Sequence, residues 1–531
     1  MKQSRGQALG RPLPKDTPAT IDAARQAFSA GDIARTEGIC AQILARDANN
    51  ATAWCLLTET ALQRGRPDAA IVCAERAAAL AADDPIPLIL RAKCLFLTGR
   101  AGHAREVAES AEARIGMAVG AAPEALDALG AIFGLLGLHD RARRLFLRAV
   151  AGRADVPQYL FNLAATERMT GALVEAEAHC DAAIALDHHY GLAHYLRSDL
   201  RIQTATRNHI AEMETLIGGG LSAQNEVMLR FALAKECEDL DMHDRAFDHV
   251  ELGSELQRRL IGPNRSRAAA EIDRIIRAHT RNWIETAPPG HGSAAPVFVT
   301  GLPRTGTTLV ERIIASHPAM SSVGETSAFA AALHHATADG APGGDPARIG
   351  QNYIESMAAR RALPDARFVD KTLENYLYCG LIHAALPAAK IIMVQRHPLD
   401  ACWAIYKAHF QGKFSFSYHQ VELADYYLAF RRLSRHWRAT LPSDLLLEIN
   451  YEDIVGHQEA ASRKIIDFVG LPWHDDVLRF HATPAPSATA SAVQVRRPIY
   501  ASSIGKWRHH AERLTPLRAR LARELSDAEL A

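Results

Sequence analysis

Two glycines five residues apart, Gly301 and Gly306, lie in the segment VFVTGLPRTGTTLV. This spacing is typical of a phosphate-binding loop, in which backbone N–H groups and the start of the following helix surround a phosphate. The usual lysine is missing, and the loop offers a guanidinium and hydroxyl groups from Arg304, Thr305, Thr307 and Thr308. The loop predicts a phosphate ligand with less charge than a nucleoside triphosphate, and a tight turn without a ligand is the alternative.

A second candidate lies after the β-branched run IIMVQ, where Arg396 begins the segment RHPLD. Pro398 and Asp400 suit the first turn of a helix. Ligands of parallel sheets bind at the carboxyl ends of the strands, so Arg396 could hold a second phosphate. A structural ion pair is the alternative.

The elements around both segments alternate between strand and helix. Strands are predicted at 297–300, 368–369, 391–395 and 445–450, and helices at about 307–316, 400–409 and 457–469. Such alternation indicates a parallel sheet with helices on both faces. A Pro-, Gly- and Ala-rich linker, TAPPGHGSAAP, precedes this region.

The first half of the chain carries an internal repeat. Glycines recur at 31, 65, 99, 137 and 171, and alanines recur five and twelve residues after the later four. A period near 34 matches tetratricopeptide helix–turn–helix units, in which glycine turns the chain and alanines let helices approach. Asp241 and Ala246 extend the pattern to about residue 260. An unrelated Ala-rich bundle is the alternative, and solenoids usually bind peptides or proteins.

Bulk composition excludes several functions. The chain has 531 residues with 60 Lys+Arg and 60 Asp+Glu, which gives no global charge for binding nucleic acid or an acidic membrane. Eight scattered cysteines form no C-x-x-C and no metal spacing, which predicts free thiols and no metal site. The polar N-terminus has no apolar leader, and no run of about 18 apolar residues occurs. We therefore expect a cytoplasmic protein.

The loop PRTGTT and the segment RHPLD resemble the paired 5′- and 3′-phosphate sites of sulfotransferases. Four further segments match in order: VGET (323–326), VDKTLENY (369–376), YEDIV (451–455) and SAVQVRRPIYASSIGKW (491–507). The likeness covers about residues 295–510 and is strongest to protein-tyrosine sulfotransferases and their bacterial relatives with tetratricopeptide repeats. It implies 3′-phosphoadenosine 5′-phosphosulfate (PAPS) as co-substrate and transfer without a divalent metal.

The resemblance also implies roles for single residues. Glu325 is the expected general base, and Arg304 is expected to stabilise the bridging oxygen and the 5′-phosphate. Lys371 is expected to balance charge on the sulfuryl group, and Ser491 to take part in catalysis.

The remaining expected contacts bind the donor. They come from Thr305, Gly306, Thr307 and Thr308 in the loop, and from Arg396, Tyr451 and Lys506. One position departs from the family pattern, because Ala404 stands where the 3′-phosphate motif usually has Ser. Loss of one charge-assisted hydrogen bond to the 3′-phosphate costs roughly 1.5–3 kcal/mol of binding free energy. The nearby Lys407 is a candidate to bind this phosphate in place of the missing serine.

These inferences combine into one predicted architecture, a tetratricopeptide helical solenoid followed by a P-loop-like α/β sulfotransferase domain with a parallel sheet. The predicted boundaries are a disordered head at 1–20, repeats at 21–262, a helical connector and linker at 263–294, the sulfotransferase domain at 295–515 and a tail at 516–531.

The predicted function is sulfuryl transfer from PAPS to a hydroxyl, with a tyrosine of a peptide or protein held by the repeats as the expected acceptor. Sulfation of a carbohydrate or small metabolite, a repeat scaffold with an inactive domain, and a P-loop kinase are the alternatives. Ala404 favours the inactive scaffold, whereas the presence of Arg304, Glu325, Lys371 and Lys506 argues against it.

Overall fold

The computed structural model describes residues 19–117, 120–262, 267–337, 344–358, 360, 366–483, 489 and 492–531. The chain divides into two compact units, Met1–Gly152 and Arg153–Ala531. This division lies inside the region that the sequence predicts as repeats, and the boundaries inferred from the sequence stay predictions. Most of the predicted disordered head, residues 1–18, lies outside the described residues.

The first unit consists of helices that pack as successive antiparallel pairs. They are α1 (Ile21–Ser29), α2 (Ile33–Arg46), α3 (Ala51–Gln63), α4 (Pro67–Leu80), α5 (Pro85–Leu97), α6 (Ala101–Met117), α7 (Pro123–Leu135) and α8 (His139–Gly152). Side-chain caps such as Thr20 and Asp32, and prolines in the first turn such as Pro67 and Pro85, start several of these helices.

The second unit begins with further helices of the same kind. They are α9 (Pro157–Thr170), α10 (Leu173–Leu186), α11 (Gly191–Asp199), α12 (Ile210–Ile217), α13 (Ala223–Asp239) and α14 (His243–Ile261), followed by α15 (Arg267–Ala278) and α16 (Arg281–Thr286). Among the described helices of both units, none is long and apolar enough to span a membrane.

The repeat pattern inferred from the sequence is confirmed at its turns. The five repeating glycines have φ of 75°, 67°, 78°, 78° and 94°, a left-handed conformation that only glycine adopts easily. Asp241 turns the chain between α13 and α14 with φ 56°. The alanines predicted at helix contacts are fully buried: Ala70, Ala77, Ala104, Ala111, Ala142, Ala149, Ala176 and Ala183.

The α/β region contains one five-stranded, fully parallel sheet of order β2-β3-β1-β4-β5. Its strands are β1 (Pro296–Thr300), β2 (Met320–Gly324), β3 (Arg367–Asp370), β4 (Lys390–Gln395) and β5 (Leu446–Asn450). Side chains alternate between the two faces, so that Val297 and Val299 enter one apolar core and Phe298 enters the other. This confirms the predicted fold class.

Helices cover both faces of the sheet. They are α17 (Thr307–Ala315), α18 (Ala328–Thr337), α19 (Pro346–Ala358), α20 (Cys379–Ala385), α21 (Pro398–Tyr406), α22 (Gln420–Thr440), α23 (Tyr451–Gly456), α24 (Gln458–Val469), α25 (Thr515–Leu521) and α26 (Asp527–Leu530). Residues 516–531, predicted as a tail, are partly helical, and Leu517 and Leu521 are fully buried in the larger core.

The last repeat helices share the core of the α/β region. Phe247 of α14 stacks on Trp403 of α21 with ring centroids 5.5 Å apart, and both rings are buried. Arg513 lies over the Phe247 ring and pairs with Asp248 and Glu251 of α14. Because aromatic side chains bury much apolar area, these contacts join helix α14 and the α/β region in one compact unit.

Candidate active site

The loop between β1 and α17 has the backbone of a phosphate cradle. Arg304 and Gly306 have φ of 64° and 101°, and α17 begins at Thr307. The N–H groups in the first turn of a helix have no carbonyl partner within it, so they face the loop. A Cβ on Gly306 would lie 2.5 Å from Cδ2 of Tyr451, which explains why this position is glycine. The side chain of Thr305 is buried and its Oγ1 donates to Leu302 O, so it stabilises the loop itself.

Arg396 follows β4 and reaches the same loop. Its Nη1 donates to Arg304 O at 2.8 Å, and its Nη2 donates to Ser503 O at 2.7 Å. Its Nε is buried and lacks a hydrogen-bond partner among the described residues. Burial lowers the pKa of this guanidinium, while Tyr451, Asp400 and Glu452 oppose that effect. An anion beside Arg396 would both satisfy the Nε atom and offset the cost of burying the charge.

Glu325 and Lys371 form an ion pair at the carboxyl ends of β2 and β3. Lys371 Nζ lies 2.5 Å from Glu325 Oε1 and 4.0 Å from Glu311 Oε2 of α17. The Lys371 side chain is fully buried, whereas that of Glu325 is 40 % exposed. The ammonium is therefore held behind the Glu325 carboxylate, and the carboxylate alone meets the open space in front of the loop.

The buried Asp370 fixes the turn that carries Glu325. Its carboxylate accepts hydrogen bonds from the backbone N–H and hydroxyl of Thr372, from Thr326 Oγ1 and from the hydroxyl of Tyr353. Burial raises the pKa of Asp370, and these donors oppose that effect. Thr372 Oγ1 in turn accepts from Thr326 N at 2.9 Å. Hydrogen bonds thus link Thr372, two residues after Asp370, to Thr326, the residue that follows Glu325.

Asp400 of α21 holds the segment that contains Lys506. Its carboxylate accepts from Gly505 N at 2.6 Å and from Trp507 N at 3.3 Å. Ser503 Oγ lies 2.7 Å from the Tyr451 hydroxyl, and the Tyr451 ring stacks under the Arg396 guanidinium at 4.7 Å. The segment 503–507 is therefore fixed over the loop from two sides.

A second segment over the loop is anchored to the repeats. Arg496 Nη2 donates to Met169 O at 2.7 Å, and its guanidinium lies against Gly171, where a Cβ would meet Nη1 at 2.7 Å. Arg168 Nη2 donates to Thr489 O at 3.2 Å. Gln494, from the same segment, accepts from Arg304 Nη2 at 3.1 Å. The end of α9 thus positions a contact of the phosphate-binding loop.

These elements enclose one cavity of about 1070 Å³. The predicted residues that line it are Arg304, Gly306, Thr307, Thr308, Glu325, Arg396, Tyr451 and Lys506. Lys371 and Thr305 lie behind the wall, and Ser491 lies outside the described residues. Ala404 and Lys407 also line the cavity, as do Tyr195 and Phe231 from the repeats. Lys407, the candidate to bind the 3′-phosphate in place of the missing serine, forms an ion pair with Glu238, with Nζ 2.5 Å from Glu238 Oε2.

The site combines groups that can bind phosphate with carboxylates. Arginines such as Arg304 and Arg396, several lysines and the start of α17 supply positive charge, and carboxylates that include Glu325 line the same cavity. Among the described residues, no group of three or more His, Cys, Asp or Glu side chains could hold a metal ion.

The sulfotransferase family model matches residues 296–475, and a tetratricopeptide repeat model matches residues 27–94. Residues 296–475 form a sulfotransferase-family domain. The matched residues contain both candidate phosphate-site segments and the Glu325–Lys371 pair.

The chain is similar to parts of several known proteins. An "uncharacterized protein" of Aquifex aeolicus (strain VF5) is 30% identical over 336 residues, 59% of this chain and 44% of that protein. Protein-tyrosine sulfotransferase 1 of Danio rerio is 21% identical over 244 residues, 40% of this chain and 65% of that protein. The chain thus covers less than two thirds of either relative. The sulfotransferase domain from the Synechococcus PCC 7002 olefin synthase aligns over 45% of this chain and 99% of its own, with 16% identity and a TM-score of 0.32.

The sequence did not point to three residues that shape the sulfotransferase domain's site. Glu311 was hidden in an amphipathic helix, although its position four residues after Thr307 places it on the loop side of α17. Asp370 gives no signal of its own in the sequence, because it directly precedes Lys371 and lysine is the rarer residue type in this chain. Glu238 gave no signal, because it lies in the repeats and reaches the cavity only through the tertiary fold.

Proposed function

We propose that this protein transfers the sulfuryl group of PAPS to an acceptor hydroxyl, preferentially a tyrosine of a peptide or protein. The observation that carries the proposal is that Arg304, Arg396 and Glu325 line the same cavity. One cationic end fits phosphate and the carboxylate end fits a hydroxyl. PAPS supplies an activated sulfuryl group next to a 5′-phosphate.

The chain's own groups would divide the work between binding and proton transfer. The loop amides with Arg304 would hold the 5′-phosphate side, and Arg396 would hold the 3′-phosphate. Glu325 would accept the acceptor's proton as the new oxygen–sulfur bond forms and the bond from sulfur to the bridging oxygen breaks. Adenosine 3′,5′-bisphosphate would leave with the bridging oxygen. Lys371 would orient the carboxylate from behind, because its ammonium is buried and lies outside the cavity lining.

The space beyond the nucleotide supports a large acceptor. A cavity of about 1070 Å³ exceeds what one nucleotide fills, and its lining includes Tyr195 of the repeats. The likeness to protein-tyrosine sulfotransferase 1 of Danio rerio favours tyrosine over a carbohydrate. The protein acceptor, its binding by the repeats and a cytoplasmic location are parts of this proposal.

Calorimetric titration with adenosine 3′,5′-bisphosphate tests the donor site. The Arg396→Ala variant should bind about 10- to 100-fold more weakly, the equivalent of roughly 1.5–3 kcal/mol for a charge-assisted contact. Arg259→Ala, at an exposed ion pair with Glu255, is the matched control and should bind normally. Absence of binding by the unmodified protein would overturn the donor assignment.

Transfer of ³⁵S from labelled PAPS tests the acceptor. We expect labelling of a tyrosine peptide in the presence of EDTA, and little labelling of the same peptide with Phe in place of Tyr. Labelling of sugars but not of peptides would overturn the tyrosine assignment, and Mg²⁺-dependent ATP turnover would indicate a kinase.

A further inference from the structure

A carboxylate from the repeats lies among the lysines of the donor site. Glu238, near the end of α13, contacts Lys407 Nζ at 2.5 Å and Lys506 Nζ at 3.5 Å. Its side chain is only 13 % exposed. All three residues line the cavity that contains Arg304 and Arg396.

The charge state of this cluster is fixed by its members. Burial alone would raise the pKa of Glu238, but Lys407 and Lys506 hold that pKa at about 2. Glu238 is therefore an anion at neutral pH, in contact with two ammonium groups that could otherwise bind a phosphate in this cavity. Two lysines and one carboxylate leave a local charge of about one positive unit, less than the lysines alone would offer to a phosphate.

Lys407 lies close in sequence to Ala404, the position where the family motif usually has serine. Lys407 follows Ala404 by three residues and lies on the same side of α21, since both line the cavity. Lys506 is held nearby, because Asp400 of the same helix binds the backbone of Gly505 and Trp507. The backbone on both sides of Lys506 is thus held at the cavity wall.

We propose that Glu238 is an internal anion that occupies Lys407 and Lys506 until a phosphate of the nucleotide replaces it, so that the helical repeats set the affinity of the donor site. The proposal rests on the proposed function, because the ligand is the bisphosphorylated nucleotide. Binding then exchanges one anion for another on the same lysines. The Glu238 carboxylate weakens the nucleotide complex by competition and by repulsion.

The test measures the affinity for adenosine 3′,5′-bisphosphate by calorimetry in the full-length protein. Glu238→Gln keeps the shape of the side chain and removes its charge, so it should bind at least about fivefold more tightly. Asp239→Asn is the matched control, because it removes a charge from the next residue, whose carboxylate pairs with Lys235 instead. Its affinity should change much less than that of Glu238→Gln.

Each other outcome overturns the proposal. Unchanged affinity means that Glu238 does not compete with the nucleotide for the two lysines. Weaker affinity means that Glu238 orients the lysines for the nucleotide. An equal gain in both variants means that only net charge matters. If Glu238→Gln does not fold, Lys407→Met decides, because loss of that ammonium should weaken binding at least about tenfold. Failure of the unmodified protein to bind the nucleotide would count against the proposed function instead.

Discussion

Lys371 Nζ lies 2.5 Å from Glu325 Oε1, across the carboxyl ends of two neighbouring parallel strands. The backbone repeats this link, since Lys371 N donates to Gly324 O at 3.0 Å. Because Lys371 is fully buried and Glu325 partly exposed, the pair presents one oriented carboxylate to the cavity. A base that needs no reorientation is what proton abstraction from a bound hydroxyl requires.

Replacing Glu325 should stop the chemistry without affecting nucleotide binding. We expect Glu325→Gln to lower kcat for ³⁵S transfer by about 10²- to 10⁴-fold, the usual contribution of a general base. Affinity for adenosine 3′,5′-bisphosphate should stay the same. Glu374→Gln, which breaks the partly exposed pair with Lys413, is the control and should keep full activity. An active Glu325→Gln enzyme would remove this residue from the mechanism.

A side chain at Gly306 should destroy the phosphate cradle. Gly306→Ala combines a φ of 101° with a contact of 2.5 Å to Tyr451, so we expect a loss of about 1–3 kcal/mol in stability and a loss of nucleotide binding. Gly470→Ala has a similar backbone, with φ 78° and no atom within 4 Å of its added Cβ. It should lose stability but bind normally. Equal binding by both variants would contradict the cradle.

The Asp400 carboxylate should matter for donor affinity although it repels phosphate. Asp400→Asn replaces one of the two oxygens that hold Gly505 and Trp507, so the segment with Lys506 should loosen. We expect calorimetry to show about tenfold weaker binding of adenosine 3′,5′-bisphosphate. Asp475→Asn, at an exposed position beside Trp473, is the control. Tighter binding by Asp400→Asn would show that repulsion outweighs positioning.

Restoring the family hydroxyl should strengthen the donor site. Ala404→Ser adds a donor to the cavity wall, and a hydrogen bond to a charged phosphate contributes roughly 1.5–3 kcal/mol. We expect at least about tenfold tighter binding of adenosine 3′,5′-bisphosphate and no change for adenosine 5′-phosphate. Ala408→Ser, also on the cavity wall, should have little effect. A gain for both nucleotides would place the serine away from the 3′-phosphate.

The Glu238 ion pairs should make stability depend on acid pH. The pKa of Glu238 is lowered from 4.5 to about 2, so its contribution is present above pH 4.5 and is lost as the pH falls through 2. A shift of this size corresponds to about 3 kcal/mol at neutral pH, of which about 1 kcal/mol is lost by pH 3.5. The stability difference between the unmodified protein and Glu238→Gln, measured by urea unfolding, should therefore narrow from pH 7 to pH 3.5. A constant difference would contradict this assignment.

Features set by local sequence were predictable. The turn glycines and the alanines at fixed offsets follow from helix geometry, and both are where the spacing placed them. The loop at Gly306 and the strand before Arg396 also follow from patterns within about ten residues. In each case the physical cause, a left-handed turn or a buried β-branched run, is contained in the segment itself.

Features set by distant contacts were not predictable. Strand β2 was missed because MSSVG is short and polar for an edge strand, and its pairing with β3 decides its conformation. The Glu311–Lys371 and Glu238–Lys407 contacts join residues 60 and 169 positions apart. The start of helix α21 at Pro398 instead of near 400 is a different case, because the proline that suits the first turn is itself a local signal.

The bond from Arg496 to the carbonyl of Met169 has a consequence for chimeric enzymes. A hybrid in which foreign helices replace the chain up to residue 263 would keep every family motif. It would lose the Met169 carbonyl, which accepts from Arg496 and holds the segment around Gln494 in place. A hybrid joined at residue 153 would keep it. An exchange of the solenoid is therefore best attempted at the earlier junction, with helices α9–α14 retained beside the sulfotransferase domain.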